Sequence, residues 1–392
     1  MENYVTGKFI TEDGLKNIKN HKYKSGGYSM LDNVMNPFWE LVVKLMPMTL
    51  APNMITLLGV IINFALYFAM FYFDRSLTAE VPSWTYFGFG IGLFVYQTLD
   101  AIDGKQARRT GSSSPLGQLF DHGCDCLSTT LVALALVHTL KLGVTWQSKL
   151  LIGSLWLPFY LAQLLEYHVG LVRTNVGVIG VTEGQLAQCA VMAVAGFTKG
   201  EVFEITFVSF LPVLEGVIPA WLNICHAIVG FTVISSIVFA GYLVIEMVVQ
   251  KETIKGKLYA LWGMNPIILM LINLYLIDEN DPFVSKNAAV VILVVSVIFT
   301  LVTTKVIISS MALMHVRSFQ LEPFLFAGYY YFHYLGPNSF PEAKAAEYAY
   351  YCLIATFVIS IILYFRFVRV CITQITAHLG IYCFSIKKRK ED

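Results

Sequence analysis

Long apolar segments separated by short polar connections dominate the sequence. A membrane span needs roughly 20 apolar residues, and ten segments are candidates: residues 51–73, 84–107, 116–140, 148–170, 183–198, 218–248, 257–277, 287–313, 319–336 and 345–370. The ninth is the weakest, because "LEPFLFAGYYYFHYLGP" is short, aromatic and bounded by prolines, and an interfacial or re-entrant segment is its alternative. The pattern predicts an all-α polytopic integral membrane protein with about ten transmembrane helices.

Composition supports this fold class. Hydrophobic residues make up 56% of the 392 positions and charged residues only 14%, whereas a soluble globular chain has roughly 25% charged residues. The seven cysteines show neither zinc-ligand spacing nor the density of a disulfide scaffold. We therefore interpret them as small apolar side chains.

The distribution of basic residues predicts the orientation of the chain. The first 45 residues are polar and basic and lack the apolar region of a signal peptide. Lysine and arginine concentrate in the connections on the same side as this segment, which the positive-inside rule assigns to the cytosol. We expect both termini to be cytosolic.

The two ends of the chain carry further expectations. Residues 30–47, "MLDNVMNPFWELVVKLMP", suit an amphipathic helix in the membrane interface, with a plain lead-in as the alternative. The last residues, "KKRKED", fit a K-x-K-x-x retrieval signal and predict the endoplasmic reticulum membrane, with the Golgi as a second location. A basic cluster that contacts anionic lipid is compatible with that interpretation.

One charged stretch, "DAIDGKQARRTGSSSPLGQLFDHGCD", interrupts the apolar pattern between the second and third spans. Asp100 and Asp103 are three residues apart, and Asp121 and Asp125 are four apart, so each pair lies on one helix face. The short connection brings the two faces together. Four adjacent carboxylates repel one another, so the site requires positive charge.

The residue types in this stretch favour a hard cation and a phosphate. Carboxylates without histidine or thiolate ligands suit Mg²⁺, which proteins hold through a few carboxylates and substrate phosphates. Two ions would balance four negative charges. Gly104 and Gly117 leave room for a close approach, and Arg108 offers a planar fork for phosphate oxygens.

The spacing D-x2-D-G-x2-A-R-x8-G-x3-D-x3-D resembles the signature of the CDP-alcohol phosphotransferase family, and the eukaryotic choline/ethanolaminephosphotransferases in particular. It is filled here by Asp100, Asp103, Gly104, Ala107, Arg108, Gly117, Asp121 and Asp125. The stretch "APNMITLLG" at 51–59 extends the resemblance. Gln118 is a departure, because those enzymes usually have glutamate at that position.

The resemblance implies a division of the chain. A cytosolic or interfacial N-terminal segment, 1–49, precedes a six-helix catalytic core, 50–250. Additional transmembrane helices, 251–370, and a basic cytosolic tail, 371–392, follow.

The resemblance also implies a reaction. Phosphocholine or phosphoethanolamine would pass from CDP-choline or CDP-ethanolamine to diacylglycerol with release of CMP, in a homodimeric enzyme that needs Mg²⁺ or Mn²⁺ and no nucleic acid. Asp100, Asp103 and Asp121 would bind the metal, and Asp125 would act as general base with an additional contact to the second ion. The CDP site would contain Asn53, Gly104, Ala107, Arg108 and Gly117.

Three other polar residues near the same membrane edge have open roles. Glu166 and Glu183 are equally consistent with a site role and with an acid at a helix end or a helix cap. His122 differs from Asp121 by about 100° around the helix, which favours packing.

Two alternative functions stay open. A phosphatidyltransferase of the same family would use CDP-diacylglycerol as donor and a soluble alcohol as acceptor, but such relatives tend to be shorter. A cation transporter could also hold intramembrane aspartates, although transporters place such charges near the bilayer midplane and usually show internal repeats.

Overall fold

The computed structural model describes residues 7–386, and this part of the chain is almost entirely helical. The helices are α1 Glu12–Asn20, α2 Met30–Leu45, α3 Pro52–Phe73, α4 Ser83–Arg109, α5 Pro115–Thr139, α6 Trp146–Val169, α7 Val181–Thr198, α8 Phe207–Phe210, α9 Ile224–Val249, α10 Ile254–Trp262, α11 Asn265–Tyr275, α12 Pro282–Lys286, α13 Ala288–Met311, α14 Ala327–Tyr330 and α15 Glu342–Leu379. Two short antiparallel strands, β1 Asn175–Val176 and β2 Ile179–Gly180, precede α7. The all-α polytopic fold is confirmed.

Within the described residues, seven helical segments are long and apolar enough to cross a membrane. They are α3, α5, α6, α9, the pair α10 and α11, α13 and α15. Helices α4 and α7 form where the second and fifth spans were expected, but they are not among the seven. The weak ninth segment is irregular, with 3₁₀ turns at Glu322–Phe326 and Gly336–Asn338 around a π-helical turn.

The core lies between helices α4, α5, α6 and α13. Helix α13 is buried along most of its length, and Phe299 in its middle stacks on Trp156 of α6 with ring centroids 4.4 Å apart. One apolar cluster extends from Val60 to Leu353. The helices after residue 250 therefore pack onto the preceding ones as part of the same core.

Helix α15 is longer than the sequence analysis expected. It continues past residue 370, into the segment that we expected to be a tail, and ends before Gly380. Gly380 has φ +63°, the left-handed conformation in which glycine commonly terminates a helix. The retrieval signal at the end of the chain lies outside the described residues.

Helix α2 confirms the prediction of a helix near residues 30–47. Trp39 and Val43 pack against Ile55 and Ile102, which joins α2 to α3 and α4. Its opposite side is exposed, including Leu41. Its position in the membrane interface stays a prediction.

The end of the bundle opposite the aspartates is held by a buried carboxylate. Asp74 follows α3 and accepts hydrogen bonds from the backbone amides of Ser76, Thr78 and Ala79, and it lies 3.4 Å from His138 Nε2. Burial acts to raise the pKa of Asp74, but the contact with His138 and the hydrogen bonds from Ser76 and Ala79 outweigh burial and hold the pKa below the usual 3.8.

We expect Asp74→Asn to destabilise the protein by about 2 kcal/mol, because several donors lose a charged acceptor. The folded state has the lower pKa, so the contribution of the carboxylate is present above about pH 4 and is lost as the pH falls further. Thermal unfolding in detergent should show a gap between wild type and variant at pH 7 that narrows below about pH 4. A gap that is constant with pH would contradict this role.

Candidate active site

A tight turn brings the four predicted aspartates together at one end of the bundle. Helix α4 ends at Arg109, Gly111 takes a left-handed conformation with φ +64°, and the side chain of Ser114 caps α5 by accepting from Gly117 N. Because α5 runs back beside α4, Asp100 and Asp103 face Asp121. One ligand oxygen from each of these three lies within 4.8 Å of the others.

Two of these carboxylates have oxygens that suit a cation. Asp100 Oδ1 and Asp121 Oδ1 are buried and have no hydrogen-bond partner in the described part of the chain. Buried polar atoms are rarely left unpaired, and carboxylate oxygens are the ligands that Mg²⁺ prefers. The three side chains therefore fit a divalent metal.

The remaining aspartate has a different environment. Asp125 Oδ1 accepts a hydrogen bond of 2.5 Å from the hydroxyl of Tyr96, and Asp125 is not part of the close group of three. Asp103 is held by the hydroxyl of Thr56. Thus three carboxylates converge, and the fourth is oriented by a tyrosine beside them.

Sequence analysis missed Tyr96 and Thr56, although both carried a signal. Tyr96 lies four residues before Asp100 and thus on the same helix face. Thr56 lies four residues after Pro52, on the helix whose second residue is the predicted nucleotide residue Asn53. Neither residue forms part of the eight-position spacing that drew attention to the aspartates.

Open space lies beside the carboxylates. A Cβ added to Gly104 would meet only Arg108 Nη1, at 3.6 Å, and one added to Gly117 would meet Asn53 Oδ1 at 3.7 Å. Ala107, which follows Gly104 by one helical turn, is half-buried. The small residues leave room for a ligand between α4 and α5.

Arg108 differs from the two basic residues near it. Lys105 donates to Glu40 Oε1 at 2.6 Å, and Arg109 donates to the Val43 and Met46 carbonyl oxygens, so both attach α2 to α4. The Arg108 side chain is exposed and makes no hydrogen bond or ion pair with any residue in 7–386. Its guanidinium is available for an anion.

Asn53 is buried near the site, but its amide already has a protein partner. Asn53 Nδ2 donates to the Cys383 carbonyl oxygen at 2.9 Å. The ring of Phe384 packs edge-on against Phe120 at 5.4 Å. The chain after α15 therefore returns to the site, and a nucleotide role for Asn53 stays a prediction.

A polar network extends from α5 to α6 and to the N-terminal segment. Gln118 Nε2 donates to Glu166 Oε1 at 2.7 Å, and His21 Nε2 donates to Gln118 Oε1 at 2.8 Å. His122 Nδ1 contacts Gln163 Oε1 at 3.1 Å, and the Tyr23 ring packs edge-on against His122 at 5.9 Å. The structure thus brings Glu166 and His122 to the same end of the bundle as the aspartates.

Glu183 has structural partners. Its Oε2 accepts from Gly180 N at 2.7 Å, and its Oε1 accepts from Leu31 N at 2.8 Å. This is the helix-cap arrangement that was the alternative to a site role. It also joins α7 to α2.

Comparison with known proteins agrees with the geometry. The family profile of CDP-alcohol phosphatidyltransferases matches residues 49–198, which include all four aspartates. The chain is 32% identical to cholinephosphotransferase 1 of Xenopus laevis over 391 residues, covering 97% of this chain and 92% of that protein. It is 33% identical to human cholinephosphotransferase 1 over 315 residues, covering 76% and 72%.

A further relative matches over a shorter region. An uncharacterised CDP-alcohol phosphatidyltransferase class-I family protein of Dictyostelium discoideum is 40% identical over 197 residues, which is 50% of this chain and about half, 48%, of that protein. The matched part of the relatives thus varies from half to nearly all of their length.

Proposed function

Because this chain belongs to the CDP-alcohol phosphatidyltransferase family, it is a membrane-embedded transferase, and we propose that it transfers phosphocholine or phosphoethanolamine from the CDP-alcohol to diacylglycerol. The observation that carries this proposal is the group formed by Asp100, Asp103 and Asp121, whose unpaired buried oxygens lie beside the small residues of α4 and α5. The printed names of the vertebrate relatives support the choline donor.

In this mechanism Asp100, Asp103 and Asp121 would hold Mg²⁺ or Mn²⁺, as a pair of ions. The bound cations would neutralise the charge of the diphosphate and stabilise the charge that develops during phosphoryl transfer. Arg108 binds phosphate oxygens from the open side, because its guanidinium is exposed beside Gly104. Ala107 and Gly117 leave space for the cytidine diphosphate, and Asn53 approaches it from α3.

Asp125 acts as the general base. The hydroxyl of diacylglycerol attacks the β-phosphorus, the bond between that phosphorus and the bridging oxygen breaks, and CMP leaves with the electron pair. Asp125 accepts the hydroxyl proton, and the hydroxyl of Tyr96 holds its carboxylate in place. His122 follows Asp121 on the same helix, and its ring is held by Gln163.

The proposal includes a location and an assembly. The site faces the cytosol in the endoplasmic reticulum or Golgi membrane, both termini are cytosolic, and the enzyme is a homodimer. This orientation lets a soluble CDP-alcohol and a membrane-resident diacylglycerol meet at the headgroup level.

We expect purified protein in detergent to convert diacylglycerol and radiolabelled CDP-choline or CDP-ethanolamine to phospholipid with Mg²⁺ or Mn²⁺. EDTA should remove the activity, and excess Mg²⁺ should restore it. The ratio of products from the two donors identifies the preferred head group. If folded protein formed neither product but transferred phosphatidyl groups from CDP-diacylglycerol to a soluble alcohol, the acceptor assignment would be wrong.

A further inference from the structure

The active-site end of the bundle contains one buried carboxylate that the mechanism above does not use. Glu166 is only 4% exposed and lies at the end of α6. Gln118 donates to its Oε1, whereas its Oε2 is buried and lacks a hydrogen-bond partner among residues 7–386. Because a buried carboxylate oxygen without a donor is costly, this atom indicates a missing ligand.

Glu166 also has no lysine or arginine partner within residues 7–386. Its single ion-pair contact in the described chain is with His21 Nε2, at 3.7 Å. Burial lowers the pKa of His21, and the hydrogen bond with Gln118 offsets this only in part. His21 is therefore mainly neutral near pH 7 and does not balance a carboxylate. A ligand that carries positive charge would do so.

An aromatic ring lies near this carboxylate. Tyr23 is half-exposed and packs edge-on against His122, which follows the metal ligand Asp121. Burial first, and then the charges of Asp121 and Glu166, raise the pKa of its hydroxyl, which therefore lies within the field of both carboxylates. The Tyr23 ring therefore lies at the same end of the bundle as Asp121 and Glu166.

The segment that carries Tyr23 is fixed at both ends. His21 is hydrogen-bonded to Gln118 on one side. On the other, Gly26 N donates to the Val172 carbonyl oxygen at 2.7 Å, and Val172 N donates to the Lys24 carbonyl oxygen. The ring thus has a defined place over the end of α5 and α6.

Resting on the function proposed above, we propose that Glu166 and the ring of Tyr23 form the subsite for the cationic head group of the CDP-alcohol. The donor's β-phosphate carries its alcohol on a two-carbon linker that ends in an ammonium group. Gln118 lies one helical turn before Asp121, so Glu166 is one side-chain hydrogen bond away from the helix that holds the metal. The diphosphate lies at the aspartates, and the ammonium group lies between Glu166 and Tyr23.

The two residues contribute differently to the two donors. A trimethylammonium group has no N–H and interacts best with an aromatic face, so Tyr23 contributes mainly to the binding of CDP-choline. A primary ammonium donates charge-assisted hydrogen bonds to a carboxylate, so Glu166 contributes mainly to the binding of CDP-ethanolamine. This assigns a separate specificity role to each side chain.

The test compares donors that carry a head group with CMP, which has none. Glu166→Gln keeps a hydrogen-bonding side chain and removes the charge, and we expect it to raise the KM for CDP-ethanolamine at least about 30-fold. The KM for CDP-choline should rise less. Tyr23→Leu should raise the KM for CDP-choline roughly tenfold. Tyr23→Phe keeps the aromatic ring, so its KM for CDP-choline should stay close to the wild-type value.

In Glu166→Gln and Tyr23→Leu the inhibition constant of CMP should stay within about twofold of wild type, because CMP has no head group and does not occupy the subsite. Glu201→Gln, the same change at an exposed carboxylate on the opposite end of the bundle, is the matched control. Thermal stabilisation of the Mg²⁺-loaded protein by CDP-choline, measured against stabilisation by CMP, reports binding without turnover.

The subsite is refuted if donor KM values are unchanged in both variants, or if the CMP inhibition constant rises in parallel with them. Tyr23→Leu changes a half-exposed residue and carries the test even where Glu166→Gln does not fold. A wild type that turns over neither donor would overturn the proposed function. The thermal comparison of CDP-choline with CMP would still decide the subsite.

Discussion

Replacing Asp121 by asparagine is expected to reduce kcat at least about 1,000-fold, because one of the three converging ligand oxygens loses its charge. The change keeps the size of the side chain and alters only its charge and one oxygen. The same variant should lose the thermal stabilisation that millimolar Mg²⁺ or Mn²⁺ gives to wild type, since a ligand that binds the folded state alone raises its stability. Residual activity should require higher metal concentrations.

The matched control is Asp13→Asn. Asp13 is exposed and, among residues 7–386, forms its ion pair with nearby Lys16 on the surface of α1, so removing its charge should leave kcat and metal stabilisation unchanged. If Asp121→Asn kept both the stabilisation by metal and a normal kcat, Asp121 would not be a metal ligand. Loss of kcat with undiminished metal stabilisation would instead place Asp121 on the substrate.

The aspartate group was predictable because its cause is local. Residues three and four apart share a helix face, and the turn at Gly111 and Ser114 is short enough to force two helix ends together. The apolar segments likewise predicted most helices. These features depend on neighbours within one or two helical turns.

The surroundings of the site were not predictable, because they depend on contacts between distant parts of the chain. The amide of Asn53 donates to the Cys383 carbonyl oxygen, and the Tyr23 ring packs against His122. Cys383 and Tyr23 lie in segments that have no helical or strand pattern. Nothing in the local sequence specifies these pairings. Helix α15 was predicted only in part, because the sequence analysis ended the last span at residue 370, whereas the helix continues to Leu379.

Gln118 acquires a physical meaning in the structure that the sequence could not supply. The position departs from the glutamate usual in similar enzymes, and here its amide nitrogen donates to Glu166 while its oxygen accepts from His21. A glutamate would place a second carboxylate against Glu166. The amide avoids that repulsion and keeps Glu166 in a fixed position.

Replacing Asp125 by asparagine is expected to lower kcat about 1,000-fold, the typical contribution of a positioned general base. Asparagine has a similar shape but cannot accept the hydroxyl proton. Because Asp125 lies outside the close group of three carboxylates, CMP inhibition and the stabilisation by Mg²⁺ should change far less than in Asp121→Asn. Initial rates with CDP-choline, together with thermal shifts with Mg²⁺ and CMP, separate the two variants.

A graded companion variant tests whether the Asp125 carboxylate must be oriented. Tyr96→Phe removes only the hydroxyl that donates to Asp125 Oδ1, and the loss of one hydrogen bond to a charged acceptor should lower kcat roughly tenfold. In the Asp125→Asn background the same change should have little further effect, because residues that act as a unit are not additive. If Asp125→Asn kept full kcat, Asp125 would not be the general base. His122 would then be the next side chain to replace, because it follows Asp121 and lies at the same end of the bundle.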